Sequence, residues 1–313
     1  MIDQSDTRSA ELCRRLRIER AVLGAPMAAV AGGRLAAAVS AGGGLGFIGG
    51  GYGDPAWLGP QVTEAGGARI GIGLITWNVG REQVLGALAH GPAALWLSFD
   101  DPRELAPLVH DAGIPLICQA STVVEAEQAA EAGAAAIVAQ GNESGGHGRS
   151  DRALFGLLPA VVDAVDPIPV VAAGGIVDVR GYDAALALGA AGVSLGTRLY
   201  ASTEALDVDA AKQRLVDAGG DDTVRSIVYD IARGPEWPTG YTGRSLRSPL
   251  TEDWVGREDE MRSRRPEMED LHRRAAADGD VSVRVVWAGE GVDGIADIRS
   301  AADLVGEFPL GRA

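Results

Sequence analysis

The chain has 313 residues, 46% of them hydrophobic, and a formal net charge of −15. That length buries a sizeable core, as one large domain or two ordinary ones. The densest arginine cluster, "MRSRRPEMEDLHRR" (261–274), is interleaved with Glu and Asp, so no basic stripe is available for nucleic acid.

The N-terminal segment "MIDQSDTRSAELCRRLRIER" contains no apolar signal core, and the apolar runs further on are short and cut by glycine. No membrane span is expected. Cys13 and Cys118 lie far apart, and neither HExxH nor CxxC occurs. Neither a disulfide framework nor a metal centre is expected, and a reducing, cytoplasmic setting fits best. Lys212 is the single lysine. It sits in "DAAKQRLVDAG", which reads as an exposed helix, so a Schiff-base mechanism has almost no candidate.

Strand-like apolar runs recur along the chain: "RAVLGAPM" (20–27), "GLGFIGG" (44–50), "RIGIGLIT" (69–76), "ALWLSF" (94–99), "IPLICQA" (114–120), "AAIVAQG" (135–141), "IPVVAAGG" (168–175) and "AGVSLGT" (191–197). Helical stretches such as "TVVEAEQAAEAG" (122–133) and "GYDAALALGA" (181–190) lie between them, with apolar spacing near 3.6 and a terminal Gly. Runs apolar on both faces suit a parallel sheet covered by helices. Eight such units in about 215 residues predict a closed (β/α)8 TIM barrel. An open doubly wound sheet is the alternative, disfavoured by the even repeat spacing and the lack of a dinucleotide fingerprint.

The repeat stops near residue 200, which divides the chain into a barrel (1–200) and a stretch (201–313) made of the last barrel helix and a dependent C-terminal extension covering one face. Within the extension, "ARGPEWPTGYTGRSLRSP" (232–249) reads as loop and 251–277 as a charged helix. "VSVRVVWAGEGVDGI" (281–295) reads as a strand and loop, and "DIRSAADLVGEF" (297–308) as a closing helix.

Chemistry in such a barrel belongs at the strand C-termini. These present Pro26 and Met27, Gly73 and Thr76, Gln119, Gln140, Gly174 and Gly175, and Gly196 and Thr197. The two glycine-bearing ends on the last two strands predict a phosphate cradle, because their N–H groups are not screened by Cβ, and one precedes a helix opened by Asp178. The plain alternative is that these glycines serve tight turns. Beside them, "QGNESGGHGR" (140–149) places four glycines around His147. Gly145 and Gly146 allow close approach to a ligand, and His147 projects over the mouth. His90, His110 and His272 read as structural.

"APMAAV", "LAAAVSAGGGLGFIGGG", "VAQGNESGGHGR", "PVVAAGGI" and "AALALGAAGVSLGTR", with "TGR" and "WAGEGVDGI" later in the chain, resemble the nitronate monooxygenase family, FMN-dependent TIM barrels. The resemblance implies FMN with its phosphate on Gly175 and on Ser194, Leu195, Gly196 and Thr197. Gln140 and Gly145 would contact the cofactor, with Gly146 and Gly174 also among its binding residues, Pro26 and Met27 would lie under its ring, and His147 would be the catalytic base. Three positions depart from the family pattern. Gly73 stands where many members carry Asn, Gln119 where many carry Lys, and Ser144 where Ala is usual. Gly73 and Gln119 would adjoin the flavin. Without a lysine there, an arginine or a helix dipole must counter the charge of the reduced flavin.

The implied reaction is oxidation of alkyl nitronates by O2, with His147 removing the α-proton of neutral nitroalkanes. An NAD(P)H-dependent FMN reductase of quinones or enoyl groups is the alternative on the same barrel. A flavin-free isomerase, lyase or binding barrel for a phosphorylated metabolite is a third reading, disfavoured by the lack of paired carboxylates at strand ends. The extension offers surface for a homodimer.

Overall fold

The computed structural model describes residues 4–234 and 237–311. Its strands are β1 (Val22–Gly24), β2 (Phe47–Gly49), β3 (Gly71–Ile75), β4 (Leu95–Ser98), β5 (Leu116–Ala120), β6 (Ala136–Gln140), β7 (Gly146–Arg149), β8 (Val170–Ala173), β9 (Gly192–Leu195), β10 (Thr223–Ser226) and β11 (Tyr241–Leu246). Eight of them form one sheet in the order β1-β9-β8-β6-β5-β4-β3-β2. Every pairing in it is parallel.

The remaining seam, between β1 and β2, is bridged at Leu23 and Leu45. There the Gly24 N–H donates to the Leu45 carbonyl (2.9 Å) and the Leu45 N–H to the Val22 carbonyl (3.0 Å). The result is a nearly closed eight-stranded barrel with helices outside, the predicted (β/α)8 architecture.

The apolar runs form these strands because both faces are covered, as the full burial of β4 and β9 shows. Several outer helices start on a side-chain cap. Asp54, Thr122 and Asp178 each accept a backbone N–H from the first turn that follows. Inside the barrel, Phe47 and Trp96 meet edge to face at 5.2 Å. Gly71 makes room for that pair, since an added Cβ would lie 2.2 Å from the Phe47 ring. The cavity opens above this packed layer, at the strands' C-terminal ends.

The extension departs from its sequence reading in several places. The segment 232–249, expected as loop, contains β11, which pairs antiparallel with β10 and with β7. β7 is itself half of the glycine-rich stretch expected as loop, and it belongs to this small sheet rather than to the barrel. The expected strand within 281–295 is a coil that makes one bridge, Trp287 to Ser245, before a 3-10 turn at Glu290–Gly294. The charged helix is three helices, Pro249–Trp254, Glu258–Ser263 and Arg265–Asp278. Lys212 lies on a helix as expected, but it is buried, with its amine near the Thr203 carbonyl (3.5 Å). Its stem packs inward while the charged head reaches a carbonyl.

Val228, Ile231, Trp254, Met261 and Met268 give the extension a small core of its own. Leu304 and Val305, on the helix Ala301–Gly306, join the main core instead. An added Cβ on Gly42 would lie 2.8 Å from Val305, so the chain end packs closely on the barrel. Among the described residues, no helix is long and apolar enough to cross a membrane.

Candidate active site

A cavity of about 390 Å³ sits at the C-terminal mouth of the barrel, within the usual range for small-molecule and cofactor sites. Pro26, Met27, Gly73, Gln119, Gln140, Gly145, Gly146, His147, Gly174, Gly175, Ser194, Gly196 and Thr197 all line it. Leu195 does not. Its side chain is fully buried on the other face of β9 and packs in the core.

One end of the cavity is walled by main chain. Gly174 and Gly175 have φ of 121° and 67°, values that favour glycine. Gly145 is forced to be small by the chain crossing above it, since an added Cβ would lie 2.6 Å from the Gly289 nitrogen. Thr197 Oγ1 accepts the Gly289 N–H at 3.0 Å and ties that crossing segment to the barrel. Ser144 Oγ, on the wall of the same cavity, is buried and without a hydrogen-bond partner. A buried hydroxyl is rarely left unpaired. Unscreened N–H groups and an unpaired hydroxyl are the donor set that a phosphate ester requires, so this end fits the phosphate of a flavin mononucleotide.

A relay of amides crosses the barrel mouth. Ser98 Oγ donates to Gln119 Oε1 (3.4 Å), Gln119 Nε2 to Gln140 Oε1 (2.9 Å), and Gln140 Nε2 to the His147 carbonyl (3.1 Å). Gln119 is thus a neutral link that orients Gln140, which in turn holds the backbone of His147. Gly73 also has a packing reason, because an added Cβ would lie 2.3 Å from the Pro26 ring.

His147 is held on several sides. Its Nε2 lies 2.7 Å from Asp230 Oδ1, and both side chains are nearly buried, at 9% and 5% exposure. Trp237 stacks on the imidazole with ring centroids 3.7 Å apart and planes 9° apart, and Trp287 sits 5.0 Å away at a tilt. Burial pulls the His147 pKa below its ordinary value, and the Asp230 carboxylate offsets part of that. A neutral imidazole that gives its Nε2–H to a carboxylate keeps a lone pair on Nδ1, the form a general base needs. Asp230 Oδ2 is buried and unpartnered.

The loop carrying His147 is pinned from below by arginine. Arg225 donates to the carbonyls of Asn142 (2.9 Å), Ser144 (3.0 Å) and Gly148 (3.2 Å). Burial lowers its pKa to about 10, with Arg244 close by adding to the effect. Arg244 bonds the same Asn142 carbonyl and pairs with Glu290 at 2.7 Å. Glu143 turns outward and caps the next helix by accepting the Leu154 N–H (3.0 Å).

Sequence reading missed Tyr52, Trp96, Ser98, Asp230, Arg233, Trp237 and Trp287, which also line the cavity. Trp96 and Ser98 were open to detection, because they alternate along β4 toward the barrel axis. Asp230 and Arg233 carried no such signal. They come from the short helix Val228–Arg233 of the extension, outside the repeat that marks strand ends. His110 is structural, with Nε2 on the Ala132 carbonyl (2.8 Å).

Residues 75–310 match the nitronate monooxygenase family. The chain is 33% identical to a nitronate monooxygenase of Neurospora crassa, over 92% of this chain and 87% of that protein. Among solved structures it is similar to FabK from Thermotoga maritima, with a TM-score of 0.84 and 30% identity over 95% and 94% of the two chains. It is also similar to a nitroalkane oxidase from Streptomyces ansochromogenes, with a TM-score of 0.77 and 27% identity over 92% and 94%.

Proposed function

This chain belongs to the nitronate monooxygenase family, and from that premise we propose that it is an FMN-dependent oxidoreductase that oxidises alkyl nitronates with dioxygen. The observation that carries the reading is the His147–Asp230 pair on the wall of the barrel-mouth cavity. The chemistry FMN supplies when bound is electron transfer from the electron-rich substrate carbon to dioxygen.

Gly174, Gly175, Ser194, Gly196, Thr197 and the Ser144 hydroxyl would hold its phosphate. Pro26, Met27, Gly73, Gln119 and Gln140 would line its ring. For a neutral nitroalkane, His147 takes the α-proton on Nδ1, while Asp230 keeps the ring oriented and steadies the imidazolium that forms. Trp237 and Trp287 exclude water from that proton transfer. Both cysteines are buried and unpaired, in keeping with a cytoplasmic enzyme.

The test is the anaerobic visible spectrum of the purified protein, with ethyl nitronate in one cuvette and NADH or NADPH in another. Bleaching of the flavin by nitronate is the expected result. Bleaching by a nicotinamide alone would move the reaction to a reductase. A protein that neither carries flavin nor takes up added FMN would sink the proposal.

A further inference from the structure

Arg233 is the one Lys or Arg side chain among the described residues that line the cavity. The half-buried arginines of the extension are committed. Arg225 serves backbone carbonyls, Arg244 pairs with Glu290, and Arg284 pairs with Asp207. Arg233, by contrast, makes no hydrogen bond or ion pair with any described residue. Its guanidinium carbon stands 5.8 Å from the centre of the Trp287 ring.

Arg233 is exposed and borders the cavity; partial desolvation lowers its pKa, and the nearby Asp230 carboxylate offsets part of that. A shallow cleft on its other side contains Glu269 and Asp270. Those carboxylates are already taken by Arg265 and by Arg273 and Arg274. A guanidinium on a cavity wall with none of its N–H groups taken by a described residue has its whole donor fork available to a ligand anion.

We propose that Arg233 is the oxyanion anchor of the site, donating two N–H groups to the two oxygens of the substrate's nitro or nitronate group. This rests on the nitronate reading above. A nitronate is a planar anion with its charge shared over two oxygens, the shape a guanidinium fork grips in bidentate fashion. Asp230 and Arg233 are three residues apart on one helical turn, so a single element sets both the base and the anchor.

The anchor also acts on neutral nitroalkanes. As the α C–H bond breaks, the proton passes to His147 and the electron pair forms the C=N bond. The negative charge then settles on the two nitro oxygens, facing Arg233. Donors aimed at developing charge lower the barrel-mouth barrier to that step more than they strengthen ground-state binding.

The test compares the flavin-loaded parent with Arg233→Met and Arg233→Lys on ethyl nitronate and nitroethane, with sodium nitrate as an inert planar oxyanion. In Arg233→Met, KM for ethyl nitronate should rise about tenfold or more with kcat nearly unchanged, while kcat on nitroethane should fall by a similar factor with little change in KM. Competitive inhibition by nitrate should disappear in Arg233→Met and return in part in Arg233→Lys. Parent-like KM and nitrate inhibition in Arg233→Met would overturn the proposal, as would an equal loss on both substrates with nitrate inhibition intact. Should the parent itself ignore ethyl nitronate, the nitronate reading fails separately. Nitrate quenching of tryptophan emission in parent and Arg233→Met then decides the anchor alone, with quenching lost in the variant supporting it and quenching equal in both overturning it.

Discussion

Two regions enclose the cavity, and they are made of different material. Along Gly174, Gly175, Gly196 and Thr197 the barrel offers main chain, placed by strand ends that seven parallel pairings hold in register. Along Asp230, Arg233, Trp237 and Trp287 the extension offers side chains, placed by a short helix and by coil. Backbone donors on a rigid barrel suit the part of a ligand that stays the same. Side chains on a separate cap can tune pKa, charge and shape without disturbing the barrel.

His147 sits at the seam, with its backbone fixed by the barrel amides and its ring by the cap. Removing it should therefore have the largest effect. His147→Asn is expected to lower kcat/KM for nitroethane about 10²- to 10⁴-fold, with most activity on ethyl nitronate retained. Steady-state kinetics on the two substrates measure this, and equal values for variant and parent would take His147 out of the mechanism.

The barrel side breaks next. In Gly145→Val the new side chain meets the backbone at Ala288 and Gly289, 2.6–2.7 Å from its Cβ, and must lift the crossing segment. Flavin affinity should fall about 10²-fold, read from the flavin-to-protein absorbance ratio after dialysis. Full retention would show that the crossing segment does not hold the cofactor.

On the cap side, Asp230→Asn keeps the shape but offers the imidazole an N–H where it had a carboxylate. That favours the tautomer with its proton on Nδ1, and a loss of about 10- to 10²-fold on nitroethane is expected. The pH profile sharpens the point. Burial already pulls the His147 pKa down, and Asp230 is what partly restores it. Without the carboxylate, the acidic limb of kcat/KM should move to lower pH, and an unmoved limb would deny the coupling.

The smallest effect lies outside the cavity. Burial takes the His272 pKa down to about 4, and its Nε2 has no partner. Because the unfolded chain binds that proton more readily, the contribution is intact above about pH 6.5 and is lost as pH falls toward 4. Discounted for solvent screening, it amounts to about 1 kcal/mol. His272→Phe should flatten the denaturation midpoint against pH in that window by this much, and an unchanged slope would assign the acid sensitivity to other groups.

How much of this was legible follows from range. The barrel and its glycine ends could be read because the repeat, the Val- and Ala-rich strands and the AG helix stops are local signals. Of the fourteen candidate site residues, thirteen line the cavity, while Thr76, also at a strand end, does not. The Leu195 side chain is outside the cavity by the simple alternation of a strand, whose neighbours Ser194 and Gly196 line it while Leu195 packs in the core. β7 and β11 were unreadable for another reason. "GHGR" and "YTGRSL" have no apolar alternation; β7 is a strand because β11 lies beside it, and β11 because it lies between β7 and β10.

By itself the sequence determined the barrel, the position of its open end and the histidine set there among glycines. These follow from periodicities and conformational limits that act over a few residues. Tertiary structure alone decided that Asp230 meets His147 from 83 positions away, that Trp237 covers the imidazole, and that Arg233 lines the cavity with no hydrogen-bond partner among the described residues. Those facts depend on how the extension folds back over the barrel mouth, and contacts between distant segments leave no local pattern in the chain.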